Sequence, residues 1–126
     1  MKKMSEIEKI RQLDVTEEAK RQTEGLNEAE RRLKAAVVRN FMDREGRLKS
    51  IPAQLKKKLI VLEHLVDGLE AERAYEESEI NGYIRLYHED YATIRREFIV
   101  QGLMSRDREI YRKNPRSAAR RWEELN

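Results

Sequence analysis

The chain has 126 residues, with 27 lysines and arginines against 24 aspartates and glutamates, for a net charge of +3. That length suits one domain of ordinary size. The absence of cysteine excludes disulfides, thiol catalysis and thiolate metal sites, and two histidines, His64 and His88, are too few for a histidine-rich metal site.

Hydrophobic residues make up 39% of the chain and charged residues 40%, so the core is modest. Many apolar residues fall at helical spacing, which argues against disorder. No apolar run approaches a membrane span, and Met1 to Lys3 leads into charged sequence rather than a signal peptide. A cytoplasmic protein with no membrane partner and no cofactor is the expectation.

Residues 1–24 read as a helical extension in which six basic and six acidic side chains cancel. Met4, Ile7, Ile10 and Leu13 form an apolar seam at spacing three. The seam packs either on its own domain or on a second copy, as a homodimer through the N-terminal helix; it is too short for a stable coiled coil. Gly25 breaks the pattern. Asn27 and Glu30 predict a capping box for the next helix. Ala29, Leu33, Ala36, Val37 and Phe41 are its expected buried stripe, and Gly46 its end. Arg47 to Ile51 reads as a brief strand or extended link.

Ser50 and Pro52 mark the start of the most hydrophobic helix, expected over 53–67. Leu55, Leu59, Leu62, Val66 and Leu69 form its face, widened by Ile60, Val61 and Leu65. So broad a face belongs at the centre of a core. Lys56, Lys57 and Lys58 read as a solvated collar in preference to a phosphate-contacting patch. A short strand at Arg73–Tyr75 and a helix over Glu77–Tyr87 follow. The core side of that helix is Ile80, Ile84 and Tyr87.

Asp90 then caps a helix in the stretch HEDYATIRR. Tyr91, Ile94 and Phe98 share its inner face; Thr93, Arg96, Glu97 and Val100 share the outer one. Arg95 falls at the edge of the inner face, suited to a structural ion pair with Glu79 or Asp90. After Gly102, Leu103–Arg106 and Ile110–Lys113 alternate around Asp107, Arg108 and Glu109 as a hairpin. Pro115 closes the domain, read as 25–115. Residues 116–126 are a basic tail that Trp122 anchors. The fold class is therefore mainly α: a winged-helix-like helix–turn–helix with a short β-hairpin and extra N-terminal helices.

Four segments, GRLKSIPAQLKKKLIVLEHLV (46–66), YEESEIN (75–81), HEDYATIRRE (88–97) and GLMSRDREIYR (102–112), resemble the bacterial domain-of-unknown-function 2087 family. Members of that family occur alone or fused to ArsR-type transcriptional regulators. The resemblance spans about 26–112 and implies a role connected with nucleic acid or transcription. Glu76 departs from it, standing where a Thr or Ser cap is usual. Residues 1–24 lie outside it.

No nucleophile motif or Gly-rich phosphate loop is present, and His88, Glu89 and Asp90 point in different directions as neighbours. A catalytic role is not expected. Tyr83, Tyr87 and Tyr91 suit core packing better than base stacking. Between 91 and 122, nine basic residues stand against three acidic ones, a balance of +6. The expected contacts to double-stranded DNA are Thr93, Arg96, Arg106, Arg108 and Arg112. The competing reading, with the same fold, is a non-catalytic protein–protein interaction or dimerisation module.

Overall fold

Residues 25–125 are described in the computed structural model. Among the described residues the first helix, α1 (Glu28–Phe41), begins on the capping box that the sequence predicts. The Asn27 side chain accepts from the Glu30 N–H at 2.8 Å, and Glu30 returns the bond to the Asn27 N–H at 2.9 Å. Its buried face differs from the expected stripe. Ala29 and Leu33 are exposed, while Lys34 and Val37 are buried. The reason lies on the next helix, where Glu63 and Asp67 need a counter-charge. Lys34 Nζ sits 2.7 Å from Glu63 Oε1 and 3.1 Å from Asp67 Oδ2.

The helix ends at Phe41, before Gly46. Met42 turns extended and bridges to Leu48, and Gly46 supplies the positive φ, +79°, of the intervening turn. Arg47 then donates to the carbonyls of Arg85 and Leu86, satisfying orphan acceptors at the end of a later helix.

Helix α2 (Leu55–Val66) starts two residues later than expected, after buried Pro52. Leu59, Ile60, Val61, Leu62, Leu65 and Val66 are all buried, so nearly the whole second half of the helix is enclosed. Tyr83 ties the next helix to it, its hydroxyl donating to the Leu65 carbonyl at 2.6 Å. The Tyr83 hydroxyl lies so close over Gly68 that a Cβ there would collide with it.

Strand β1 (Ala74–Glu76) runs directly into helix α3 (Glu77–Arg85), whose N-cap Glu76 makes no side-chain capping bond. A short turn leads to helix α4 (Tyr91–Val100), capped by Asp90, which accepts from the Thr93 N–H at 3.4 Å. His88 is part of that turn; its Nδ1 accepts from the Asp90 N–H. Ile80, Ile84, Ile94 and Phe98 are fully enclosed between α3, α4 and α2. Tyr83 and Tyr87 pack edge to face at 5.3 Å, and the Arg85 guanidinium covers Tyr91.

Strands β2 (Met104–Asp107) and β3 (Ile110–Lys113) form the expected hairpin, and β3 also pairs with β1, giving an antiparallel sheet in the order β1–β3–β2. The fold is thus mainly helical with one small three-stranded sheet. Among the described residues, no helix is long and apolar enough to cross a membrane.

The stretch after Pro115 is not a loose tail. Two 3₁₀ turns, Arg116–Ala118 and Trp122–Glu124, fold back on α2 and the end of α4. Trp122 is 0% exposed. The Arg120 N–H donates to the Gln101 carbonyl at 2.9 Å. Arg116 binds Glu123 through both terminal guanidinium nitrogens, and Nη2 reaches Glu63 at 3.3 Å. Arg121 pairs with Glu124. The seam at Met4, Ile7, Ile10 and Leu13, with the homodimer read from it, lies outside the described residues.

Candidate nucleic-acid interface

Helix α4 turns one face inward because Ile94 and Phe98 recur at spacing four. What remains outside is Thr93, Arg96 and Val100, with Val100 66% exposed. Beside this surface stands the hairpin. Its turn is Arg108–Glu109, and Arg108 takes a left-handed φ of +57°. The Glu77 N–H donates to the Glu109 carbonyl at 2.8 Å, fastening the turn to the start of α3.

Register decides which way each hairpin side chain faces, since cross-strand partners share a face and neighbours alternate. Arg106 pairs with Tyr111, and Tyr111 pairs with Tyr75; all three point to the helix side. Ser105 pairs with Arg112, and Asp107 pairs with Ile110, on the opposite side. The five expected contact residues are therefore divided. Arg96 and Arg106 line one concavity between α4 and the hairpin. Thr93 is on the same outer surface of α4, one turn earlier, half-buried. Arg108 sits at the hairpin tip, where its carbonyl accepts from Arg106 Nε at 2.6 Å. Arg112 faces away on the other side of the sheet.

The concavity is lined by Arg95, Arg96, Ile99, Val100, Arg106 and Tyr111 and measures about 140 Å³. At its edge stands Glu77. Its Oε1 accepts from the Tyr111 hydroxyl at 2.7 Å, and lies 3.7 Å from Arg95 Nε and 3.9 Å from Arg106 Nη2. The Tyr111 hydrogen bond holds the Glu77 carboxyl below its ordinary range; partial burial opposes that shift, and Arg95 and Arg106 add to it. Burial, with the same hydrogen bond to Glu77, raises the Tyr111 phenol. Arg95 also donates to Asn81 Oδ1. Its structural role is as expected, but its partners are Glu77 and Asn81; Glu79 pairs with Arg73 instead.

Sequence reasoning missed Arg95 as a lining residue, and it missed Glu77 and the Tyr111 hydroxyl altogether. Glu77 lies 18 and 29 positions from Arg95 and Arg106, beyond any helical-spacing rule. A two-residue turn at 108–109 would have separated Arg106 from Arg112 by strand parity alone. The expected turn of three residues left that register open.

A family model described as "Uncharacterized protein conserved in bacteria (DUF2087)" matches residues 47–113. The matched segment runs from Arg47, which caps the end of α3, to the last residue of β3. No curated protein and no solved structure matches the chain.

Proposed function

We propose a nucleic-acid-binding function for this chain, which belongs to the DUF2087 family: it docks α4 on duplex DNA with the β2–β3 hairpin alongside, as a winged-helix-like cytoplasmic regulator of transcription. The element order α2–β1–α3–α4–β2–β3, with strands ordered β1–β3–β2, supports that architecture. In such modules the second helix of the helix–turn–helix enters the major groove. The observation that carries the reading is the convergence of Arg96 on α4 and Arg106 on the hairpin at one outward-opening surface. The placement in transcription rests on the family resemblance drawn from the sequence, with its association with ArsR-type regulators. Thr93 faces the groove, Arg96 stands at its edge beside Arg106, and Arg106 and Arg108 hold phosphates. Arg112, on the opposite sheet face, contributes least.

A salt titration of duplex binding tests this. Neutralising phosphates releases counterions, so the affinity falls with salt at a log–log slope of about −0.9 per phosphate contact. Arg106→Ala and Arg108→Ala flatten that slope. No retention of duplex DNA at about 50 mM salt, where screening is weak, removes the reading. The second reading, a protein–protein interaction module, draws on Leu86 and Val100, each 66% exposed. It leads if DNA is not retained.

A further inference from the structure

We propose that the concavity between α4 and the β2–β3 hairpin is an anion site that takes a single phosphate group. This deepens the DNA reading, and rests on it only for where the phosphate comes from.

Among the described residues, three guanidinium groups line or border the space, those of Arg95, Arg96 and Arg106, and the carboxylate paired with them is that of Glu77. Two positive charges are therefore in excess. Glu77 is also a weak competitor for them. Its short bond goes to the Tyr111 hydroxyl, and its approaches to Arg95 and Arg106, 3.7 and 3.9 Å, exceed charge-assisted hydrogen-bond length. Arg96 makes no ion pair or hydrogen bond with any described residue. Arg106 has one donor taken by the Arg108 carbonyl, with its plane near the Tyr111 ring. That contact orients the guanidinium and leaves its outer nitrogens for a ligand.

Part of the wall between the arginines is apolar. Ile99, Val100 and the Tyr111 ring take the place of some of the water beside the arginines, which modestly strengthens their field. Size narrows the ligand. At about 140 Å³ the space is well below the ~300–1,000 Å³ of sites that enclose whole drug-sized molecules. One compact group fits, and it must offer several acceptor oxygens to fill more than one guanidinium fork. A phosphate has the oxygens and up to two charges; a carboxylate has fewer of both.

The test follows the arginine Nε–Hε signals by NMR while sodium phosphate is added to the full chain, with sodium chloride at matched ionic strength as the control. The Arg96 and Arg106 signals should move saturably in phosphate and not in chloride. Arg96→Gln, which removes a side chain without partners among the described residues, should weaken phosphate by about tenfold while leaving the melting temperature unchanged. Glu77→Gln keeps an acceptor for Tyr111 and removes the competing charge, so it should tighten phosphate. Equal movement in chloride, or wild-type affinity in Arg96→Gln, overturns the site.

Duplex DNA then identifies the source. If DNA moves the same signals and phosphate competes with it, the occupant is a backbone phosphate. If phosphate saturates the site while DNA does not bind, the ligand is a smaller phosphate-bearing molecule. The anion site then stands and the DNA reading falls.

Discussion

Two regions of this molecule use the same side chains in opposite ways. Along the seam where α1, α2 and the C-terminal turns meet, Lys34, Glu63, Asp67, Arg116 and Glu123 are joined pair to pair and withdrawn from solvent. Between α4 and the hairpin, Arg95 and Arg106 share the Glu77 carboxylate, Arg96 has no partner among the described residues, and the group opens outward. The first arrangement consumes its charge in holding elements together, and the second keeps charge in reserve. A charge count along the chain treats the two alike. The +6 balance of residues 91–122 included Arg116 and Arg121, and stopped just short of their partners Glu123 and Glu124.

The largest effect expected from breaking this contrast is at the seam. Trp122→Ala should cost about 3–5 kcal/mol, the usual range for emptying a large aromatic site, because the ring is fully enclosed. A urea midpoint unchanged by that substitution would show the C-terminal turns to be detached from the core. Leu62→Ala, in the middle of α2, should cost about 2–5 kcal/mol in the same measurement.

Glu63→Ala comes next, at about 3 kcal/mol. It takes a buried carboxylate from Lys34, which keeps Asp67, and from Arg116, which keeps Glu123, and buried pairs broken from one side are costly. Substituting Glu77, at the open site, should disturb denaturant stability much less. Equal losses at the two glutamates would erase the distinction between the regions.

Arg95 and Arg96 sharpen the comparison within the open site. Arg96→Ala should leave the urea midpoint in place and weaken duplex binding by about tenfold, the loss of one phosphate contact. Arg95→Ala should lower stability, since it removes the link to Glu77 and Asn81 on α3. The reverse pattern would exchange their assigned roles.

How much of this was legible follows from range. The capping box at Asn27 and Glu30, the Asp90 cap and the inward faces of α2, α3 and α4 are local patterns, and the sequence carries them openly. The hairpin was readable from alternation, though its turn length was not. The face of α1 was misread because an apolar stripe was assumed to be the buried one. Lys34 faces inward instead, for carboxylates 29 and 33 positions away. The candidate site was half legible for the same reason. Arg96 and Arg106 stood out as basic residues on suitable elements, while Glu77, which sets their free charge, belongs to another helix.

The smallest expected effect is a pH dependence at the seam. His64 lies beside it on α2, where burial, with the nearby charge of Lys34, lowers its affinity for a proton; Asp67 opposes in part. Well above pH 6.5 the imidazole is uncharged in both folded and unfolded chains, so it has no effect on the balance. As the pH falls through 6.5, the ordinary value, the unfolded chain takes up a proton that the folded chain still refuses. Stability contributed by this site therefore declines on acidification, until the lowered folded value is reached. Asp67 acts with the opposite sign at lower pH, because burial raises its carboxyl despite Lys34. Only the difference between wild type and His64→Gln isolates the histidine. The wild-type urea midpoint should fall more than that of His64→Gln just below pH 6.5, with the two curves parallel well above it. Parallel curves throughout would mean that the His64 ring is solvated enough to protonate in the folded state.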